Sequence, residues 1–247
     1  MSNLYNLKGK TAWIIGGKRI GQNVCEILAQ HGANVIMSYN TSKKEAQESV
    51  DIAKRYGVLA IAIQTDATLK KSIKSALEKI TKHFEKIDIL VLMASIFEPA
   101  RLEDISEDNL QKNFDVHVKG TFFPIQSCLG IIPRGGHIIT ISDRTSIGKV
   151  YKNYLPYIIT KGAVAHLTRT LSIELAPRGI FINSIAPGPV LKADTMTDEY
   201  WQNIRKNSMI GYPLDDLQAT LEFAKLVLYL STVRSTGYIY PLDFGYL

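Results

Sequence analysis

The sequence has few cysteines and no long hydrophobic run. Cys25 and Cys128 are the only two cysteines among 247 residues, and they lie far apart in apolar helical patterns. This spacing excludes a disulfide framework and favours buried thiols in a reducing compartment. Residues 1–10 lack the apolar core of a signal peptide, and the longest apolar run, residues 89–97, is far shorter than the ~20 residues that cross a membrane. We therefore expect a soluble, cytoplasmic protein with no membrane partner.

Blocks of like charge are also missing. The 29 Lys and Arg residues outnumber the 23 Asp and Glu residues and give a formal net charge of +6, but they are dispersed among acidic residues along helical patterns. A nucleic-acid-binding module is expected to carry a basic block or a groove-reading motif, and the sequence contains neither. Solvated helix faces explain the charge better, with some attraction for an anionic cofactor. No nucleic-acid partner and no metal site are predicted.

What the chain does contain is a regular alternation of short apolar runs and amphipathic segments. Strands are predicted over residues 11–15, 35–39, 59–64, 87–93, 137–141, 180–185 and 238–242. Helices are predicted over residues 20–31, 42–56, 68–84, 106–132, 154–176 and 216–231, with Ser42, Thr68 and Ser106 as N-caps. This alternation predicts one α/β domain over residues 1–247, built on a doubly wound parallel sheet of about seven strands with helices on both faces.

Ligands of doubly wound sheets bind beyond the carboxyl ends of the strands. Six segments follow the predicted strand ends, namely residues 16–21, 39–42, 66–68, 94–96, 142–144 and 187–189. Because carboxyl ends of parallel strands lie at the same edge of a sheet, we expect these segments to converge on one crevice.

One pair of residues carries the candidate chemistry. Tyr157 and Lys161 lie four residues apart in the predicted helix 154–176 and therefore share one helical face. A neighbouring ammonium favours the phenolate, so it would lower the phenol pKa from its usual value near ~10. Such a pair can donate a proton to a carbonyl or an imine near neutral pH. Taken alone, the spacing more often marks two amphipathic residues on an ordinary helix.

Several weak motifs follow one another in a recognisable order. They are the glycine turn at residues 16–21, Asp66, residues 88–95, the pair Tyr157 and Lys161, residues 183–188 and residues 236–243. On these motifs the chain resembles the short-chain dehydrogenase/reductase family over essentially its whole length. The resemblance implies a Rossmann-like fold, a homotetramer and an NAD(P)(H)-dependent oxidoreductase. It also implies that Tyr157 is the acid/base, that Lys161 positions the ribose and lowers the phenol pKa, and that hydride leaves nicotinamide C4.

The glycine turn departs from the family pattern. The loop that starts at Gly16 is preceded by Ile15 where the family has Thr-Gly, and it is one residue shorter. A pyrophosphate needs open backbone N–H groups and a helix N-terminus, and this loop still offers both. The amide side chains that follow the family's fourth strand are also missing here, but small Ala94 and Ser95 allow a cofactor to approach closely.

Two further departures concern the chemistry. His117 stands where the family has an Asn that holds a relay water, so it either takes that relay role or is a core histidine. The family's catalytic Ser position falls on Asp143, with Ser142 as the neighbouring candidate. With Asp143 in that place and its residues 18–21, the chain partly resembles pteridine reductases. An ionised Asp can accept N–H bonds from a pterin-like ring, or it can be a solvated turn residue.

The end of the second predicted strand bears on cofactor choice. An acidic residue there would bind the ribose 2′-hydroxyl and repel a 2′-phosphate, but residues 38–42 contain none, and Lys18, Arg19 and Lys43 lie nearby in the sequence. NADP(H) is therefore favoured over NAD(H). The candidate cofactor-binding residues are Gly16, Gly17, Lys18, Arg19, Ile20, Tyr39, Asn40, Thr41, Ser42, Asp66, Ala67, Ala94, Ser95, Tyr157, Lys161, Pro187, Gly188 and Val190.

Two of these assignments keep a structural alternative. Asp66 is expected to face the adenine edge, or only to start the turn before Thr68. Residues 190–215 are predicted to form a mobile lid that either contacts the substrate or simply packs shut. Its candidate contacts are Met196, Tyr200, Trp201 and Met209.

Three functional hypotheses result. The leading one is an NADPH-dependent reductase that transfers hydride to a carbonyl, C=N or C=C bond of a small molecule, either a keto compound or a pterin-like one. The second is a nucleotide-binding regulatory protein that has kept the fold and lost efficient chemistry, because the phosphate loop and His117 both depart from the family pattern. A basic nucleic-acid-binding module is the least favoured.

Overall fold

A parallel sheet forms the centre of the molecule. The computed structural model describes residues 5–193, 196–206 and 215–245. Its seven strands lie in the order β3-β2-β1-β4-β5-β6-β7, and every neighbouring pair is parallel. The strands are β1 (Thr11–Gly16), β2 (Asn34–Tyr39), β3 (Ala60–Gln64), β4 (Ile89–Met93), β5 (His137–Ile141), β6 (Phe181–Pro187) and β7 (Ile239–Leu242). Because the order reverses between β1 and β4, the predicted doubly wound topology is confirmed.

Helices connect these strands. They are α1 (Gly21–Gln30), α2 (Lys43–Lys54), α3 (Lys70–Ile80), α4 (Glu107–Asn113), α5 (Gly120–Cys128), α6 (Leu155–Leu175), α7 (Asp198–Lys206) and α8 (Asp216–Leu230). Short 3₁₀ turns occupy Leu102–Asp104, Arg144–Ser146 and Ala176–Arg178. None of the helices in the described ranges is long and apolar enough to span a bilayer.

The core consists of two layers, one on each face of the sheet. Side chains of a strand alternate between the faces, so Ala12 and Ile14 of β1 point to one layer and Trp13 and Ile15 to the other. The first layer is completed by residues of α1, α2 and α8, and the second by residues of α3, α5 and the end of α6. Helices therefore cover both faces, as the sequence pattern predicts.

The helix starts agree only partly with the sequence signals. Ser106 caps α4, where its Oγ accepts from the Asn109 backbone N–H at 3.0 Å. Ser42 makes no side-chain cap bond at α2, and Leu69 rather than Thr68 precedes α3. Ser42 is thus the N-cap residue of α2 as predicted, without a side-chain bond, whereas the predicted Thr68 cap is wrong. The Thr68 hydroxyl and backbone N–H both donate to Asp66 instead, which holds the turn ahead of the helix.

The predicted long helix 106–132 is interrupted. Between α4 and α5 the chain forms a π-helical segment, Phe114–Lys119. Hydrophobic periodicity does not reveal such a segment because it inserts a wider turn into an otherwise helical pattern. π-helical turns are rare and occur frequently at functional sites. Here the segment contains His117, which is 1% exposed.

The segment predicted as a lid is partly a packed helix. α7 lies within it, and Val190, Trp201 and Ile204 are buried. Trp201 is therefore packed, which favours the structural alternative for this residue, whereas Tyr200 is half exposed. Met209 lies outside the described residues.

Candidate active site

The glycine turn lies at the switch point between β1 and β4. Gly16 and Gly17 have φ values of 85° and 87°, a backbone conformation that favours glycine. A Cβ atom on Gly16 would lie 2.5 Å from the backbone nitrogen of Ala94, so the end of β4 also requires glycine here. α1 begins at Gly21, directly after the turn. Although the loop is short, it presents a bare backbone and a helix N-terminus, which suit a phosphate group.

The end of β2 carries no acidic side chain that would repel a ribose 2′-phosphate. The Asn40 carbonyl accepts from Gln64, and the ammonium of Lys18 lies 3.8 Å from the carboxylate of Glu45. Glu45 is therefore paired with Lys18 of the glycine turn. Asp66 uses Oδ1 for the Thr68 turn, so the turn role foreseen for it is present in the structure.

The phenol of Tyr157 and the carboxylate of Asp143 are hydrogen-bonded. Tyr157 lies in the first turn of α6 and donates from its hydroxyl to Asp143 Oδ2 at 2.7 Å. Asp143 follows β5, and its Oδ1 accepts from the Thr145 backbone N–H at 2.9 Å and from the Thr145 hydroxyl at 2.8 Å. Both partners of the central bond are at least nine-tenths buried. The turn after β5 therefore aims one carboxylate oxygen at the phenol.

The pKa of Tyr157 is raised well above its usual value, which differs from the expected effect of Lys161. Burial is the main cause, because it disfavours the charged phenolate, and the negative charge of Asp143 adds to it. Lys161 donates instead to the Ile141 carbonyl at 2.8 Å, with its Nζ 5.8 Å from the Tyr157 ring centroid. Burial lowers the pKa of Lys161 to about 8, opposed by Asp143. The phenol is thus held protonated, beside a lysine that gives up its proton more easily than usual.

Ser142, the neighbouring candidate for the catalytic position, belongs to the sheet. It is fully buried, and its Oγ donates to the Ile185 carbonyl at 3.1 Å and accepts from Ser184 Oγ at 2.9 Å. Its hydroxyl is therefore occupied between β5 and β6. Asp143 is the residue at this turn that meets Tyr157.

His117 lies against Tyr157 with both ring nitrogens in use. Nδ1 is 2.8 Å from Thr160 Oγ1, and Nε2 is 3.1 Å from Ser95 Oγ and 3.2 Å from the backbone nitrogen of Ile96. The His117 and Tyr157 rings meet edge to face with centroids 5.5 Å apart. Burial, followed by the charge of Lys161, lowers the pKa of His117 to about 2. The imidazole is therefore neutral near neutral pH.

An aromatic wall borders the phenol and was missed by the sequence motifs. We use this name for Phe97, Tyr151 and Tyr154. Phe97 stacks on Tyr154 with ring centroids 4.3 Å apart and meets the edge of Tyr157 at 4.7 Å, while Tyr151 meets Tyr154 at 5.4 Å. The sequence signal for this wall is the phenylalanine just beyond the end of β4. Its role can be recognised only from the fold, because it depends on the loop after β4 contacting α6.

The remaining sequence candidates lie at the carboxyl edge of the sheet or next to it. Arg19 donates to the Lys192 carbonyl at 2.9 Å, so the glycine turn is tied to the segment after β6. The turn at Pro187 and Gly188 packs against β7, and a Cβ atom on Gly188 would lie 2.7 Å from Cα of Asp243. Val190 is buried in the core. In the part of the chain that the structure describes, no cluster of three or more His, Cys, Asp or Glu side chains is arranged to hold a metal ion.

The chain is similar to known proteins over most of its length. A family model described as enoyl-(acyl carrier protein) reductase matches residues 16–246. Versicolorin reductase stcU of Emericella nidulans is 31% identical over 261 aligned residues, which cover 99% of this chain and 98% of the relative. Hydroxynaphthalene reductase-like protein Arp2 of Metarhizium majus is 30% identical over 219 residues, or 87% of this chain and 80% of the relative.

A solved structure extends the comparison to the fold. A short-chain dehydrogenase from Burkholderia cenocepacia, in complex with NADP, matches with a TM-score of 0.89 at 28% identity and covers 98% of this chain and 99% of that chain. The doubly wound sheet and these matches define an oxidoreductase of the NAD(P)-binding class. The chain belongs to the short-chain dehydrogenase/reductase family, as its motifs predict.

Proposed function

We propose that the protein is an NADPH-dependent reductase that delivers hydride to an unsaturated bond of a small planar substrate. The observation that carries the proposal is the buried hydrogen bond from Tyr157 to Asp143 beside the aromatic wall. It joins a proton donor, an acceptor for N–H groups and a stacking surface in one place. Two relatives whose names describe a reductase or a reductase-like protein support the reductive direction.

Several features of the crevice support NADPH as the cofactor. When bound, the cofactor would supply the hydride. We propose that the glycine turn and the N-terminus of α1 hold its pyrophosphate, because Gly16 and Gly17 present backbone without side chains there. Lys18 and Arg19, with no acid at the end of β2, suit a 2′-phosphate, and an NADP-bound neighbour supports this preference. Lys161 would bind the ribose, and the turn at Pro187 and Gly188 would border the nicotinamide. The other proposed contacts are Ile20, Tyr39, Asn40, Thr41, Ser42, Asp66, Ala67, Ala94, Ser95 and Val190.

The proton is assigned to Tyr157. Burial and Asp143 hold its phenol protonated, so the hydroxyl can donate to an atom that gains negative charge as hydride arrives. The substrate atom would replace Asp143 as the acceptor of that hydroxyl. The carboxylate oxygens of Asp143 would then accept hydrogen bonds from N–H groups of the substrate. Thr145 keeps the carboxylate in place through Oδ1.

The substrate class follows from these contacts. A flat ring can stack against Phe97, and N–H donors at its edge can reach Asp143, which favours a pterin-like C=N or C=C substrate. A planar aromatic ketone is the second candidate, because one relative is named as a hydroxynaphthalene reductase-like protein and naphthalene is a flat aromatic ring system. The regulatory alternative keeps nucleotide binding and omits the chemistry.

The test is consumption of NADPH by the purified protein across dihydropterins and planar ketones, with NADH measured in parallel. We expect turnover with NADPH and much less with NADH. Tyr157→Phe keeps the ring and removes the proton donor, so turnover should fall on the order of a hundredfold with NADPH binding nearly unchanged. A protein that is stabilised by NADPH against heat but turns over no substrate would favour the regulatory alternative, and unchanged turnover in Tyr157→Phe would refute the mechanism.

A further inference from the structure

His117 connects two elements that contribute different parts of the site. Its Nε2 contacts the loop after β4 at Ser95 and Ile96, and its Nδ1 contacts Thr160 on α6. The π-helical segment Phe114–Lys119 presents the ring between them. A single buried imidazole therefore spans the gap from the loop to the helix.

Either neutral tautomer of His117 keeps both links. Nε2 lies 3.2 Å from the Ile96 backbone nitrogen, from which it can accept, and 3.2 Å from the Ile96 carbonyl oxygen, to which it can donate. The Thr160 hydroxyl at Nδ1 can likewise accept or donate. With its pKa lowered to about 2, the ring stays uncharged near neutral pH and is poorly suited to relay protons.

The loop and the helix each carry a side chain that the proposed function requires. Phe97 follows Ile96 directly, and Tyr157 lies one helical turn before Thr160. We infer that His117 is a positioning residue, which ties the Phe97 loop to the Tyr157 helix and so sets the spacing between the stacking surface and the proton donor. The inference rests on the proposed function, because it gives His117 a part in binding the flat ring of the substrate and none in proton transfer.

Replacing His117 by Asn or by Gln tests its two contacts one at a time. An Asn amide reaches the place of Nδ1 and a Gln amide that of Nε2, so His117→Asn keeps the Thr160 contact and His117→Gln keeps the Ile96 contact. If both contacts are needed, each variant should raise the substrate KM about tenfold and leave kcat within about threefold. NADPH binding and the pH profile of kcat should not change. A large loss of kcat at constant KM, or a displaced pH profile, would overturn the inference in favour of a relay.

A double-mutant cycle tests whether the effect passes through Phe97. Phe97→Leu should raise KM by itself, and adding His117→Gln should then cost little more, since there is no longer a ring to position. Fully additive effects would refute the coupling. If the His117 variants fail to fold, Thr160→Val removes the partner of Nδ1 at constant volume, and Thr160→Ser keeps the hydroxyl as its matched control. KM should rise in Thr160→Val only, and equal values in the two variants would contradict the inference.

The charge state of His117 can be measured without any turnover. The ¹⁵N shifts of the imidazole, identified among the five histidines by comparison with His117→Gln, should show a neutral ring at every pH from about 5 to 9. An imidazolium signal in that range would overturn the inference. Absence of NADPH consumption in the native protein would refute the proposed function and leave this measurement valid, so the two failures are distinguishable.

Discussion

Asp143 and Asp66 occupy nearly identical turns, yet only one of them faces the chemistry. Each accepts from the backbone N–H and hydroxyl of a Thr two residues later, through Oδ1. They differ in that Asp143 also accepts from Tyr157 through Oδ2. The sequence pattern Asp-x-Thr is common to both, so it cannot distinguish a turn residue from a substrate ligand. The distinction comes from α6, which brings the phenol to one turn and not to the other.

This contrast gives a prediction for substrate choice. Asp143→Ser should cost ~2–4 kcal/mol of transition-state binding for a dihydropterin, which offers N–H groups to the carboxylate, and little for a ketone. The measurement is the ratio of kcat/KM for the two substrates. Asp66→Ser is the matched control, because it removes the same turn bonds and should leave that ratio unchanged. A ratio that stays constant in Asp143→Ser would end the pterin hypothesis and leave the reductase proposal standing.

Lys161 gives a prediction for pH. Its pKa is about 8 in the folded protein and 10.5 as the ordinary value, so between these pH values the unfolded chain binds a proton that the folded chain does not. Lys161 alone therefore makes the folded state more stable as pH rises through that window. Below about pH 8 the cost of burying its charge lowers the stability of the folded state in full.

Cofactor binding should change in the opposite direction. As pH rises, Lys161 loses its proton before Tyr157 does. The affinity for NADPH should therefore weaken above about pH 8, because the positive charge of Lys161 is lost there while Tyr157 remains protonated. Fluorescence titration of NADPH from about pH 6 to 10 measures this change. Lys161→Met should bind weakly at every pH and lack the transition. Affinity in the native protein that stays constant to pH 10 would show that Lys161 does not contribute its charge.

At the level of elements, the glycine turn is the feature most tightly constrained by its surroundings. Gly16→Ala combines a left-handed backbone with a Cβ atom 2.5 Å from the backbone of Ala94. Gly57 has a similar φ of 76°, but a Cβ there would meet nothing within 4 Å. Alanine at Gly57 therefore measures the cost of the left-handed backbone alone, and alanine at Gly16 measures that cost together with the steric clash.

We predict that Gly57→Ala lowers the free energy of unfolding by about 1–2 kcal/mol and that Gly16→Ala lowers it by about 3 kcal/mol or more. Gly16→Ala should also weaken NADPH binding, since relief of the clash must displace either the turn or the end of β4. Urea unfolding and NADPH titration measure the two effects. Equal losses of stability in the two variants would mean that the close approach to Ala94 has no energetic weight.

Strands and helices differ in how far the sequence predicts them. Predicted strands agree with β1 to β7 within about two residues, because buried runs of Ile, Leu and Val leave few alternatives. Caps are less certain. Ser42 and Thr68 have the right residue type, but the Ser42 side chain makes no cap bond and the Thr68 hydroxyl donates to Asp66. The π-helical segment depends on tertiary packing and has no clear local pattern. α7 does have local signals that the lid prediction overlooked, namely acidic residues in its first turn and Thr197, whose hydroxyl accepts from the Tyr200 backbone N–H.

At the level of the whole molecule, the site is assembled from parts far apart in sequence. The reversal of strand order brings the ends of β1 and β4 together, and the same edge carries the turn after β5 and the start of α6. Doubly wound topology therefore predicts which segments meet. It does not predict the aromatic wall or the His117 contacts, because these depend on how the loop after β4 folds onto α6.

Assembly is the last property to test, and we propose that the protein forms the tetramer that its family resemblance suggests. One face of α6 carries exposed Leu155, Ile159 and Ile173, and Gly162 between them has open space where a side chain would be. A helix that leaves such a stripe exposed in a single chain is suited to pack against another copy. Light scattering at micromolar concentration should therefore give a mass of several chains. Ile173→Lys, at a position 74% exposed, should reduce that mass without lowering the stability of the single chain. Leu59→Lys, at a position 63% exposed beside the edge strand β3, should leave the mass unchanged. A native monomer would contradict the proposal, and equal masses for the two variants would place the interface elsewhere than on this face of α6.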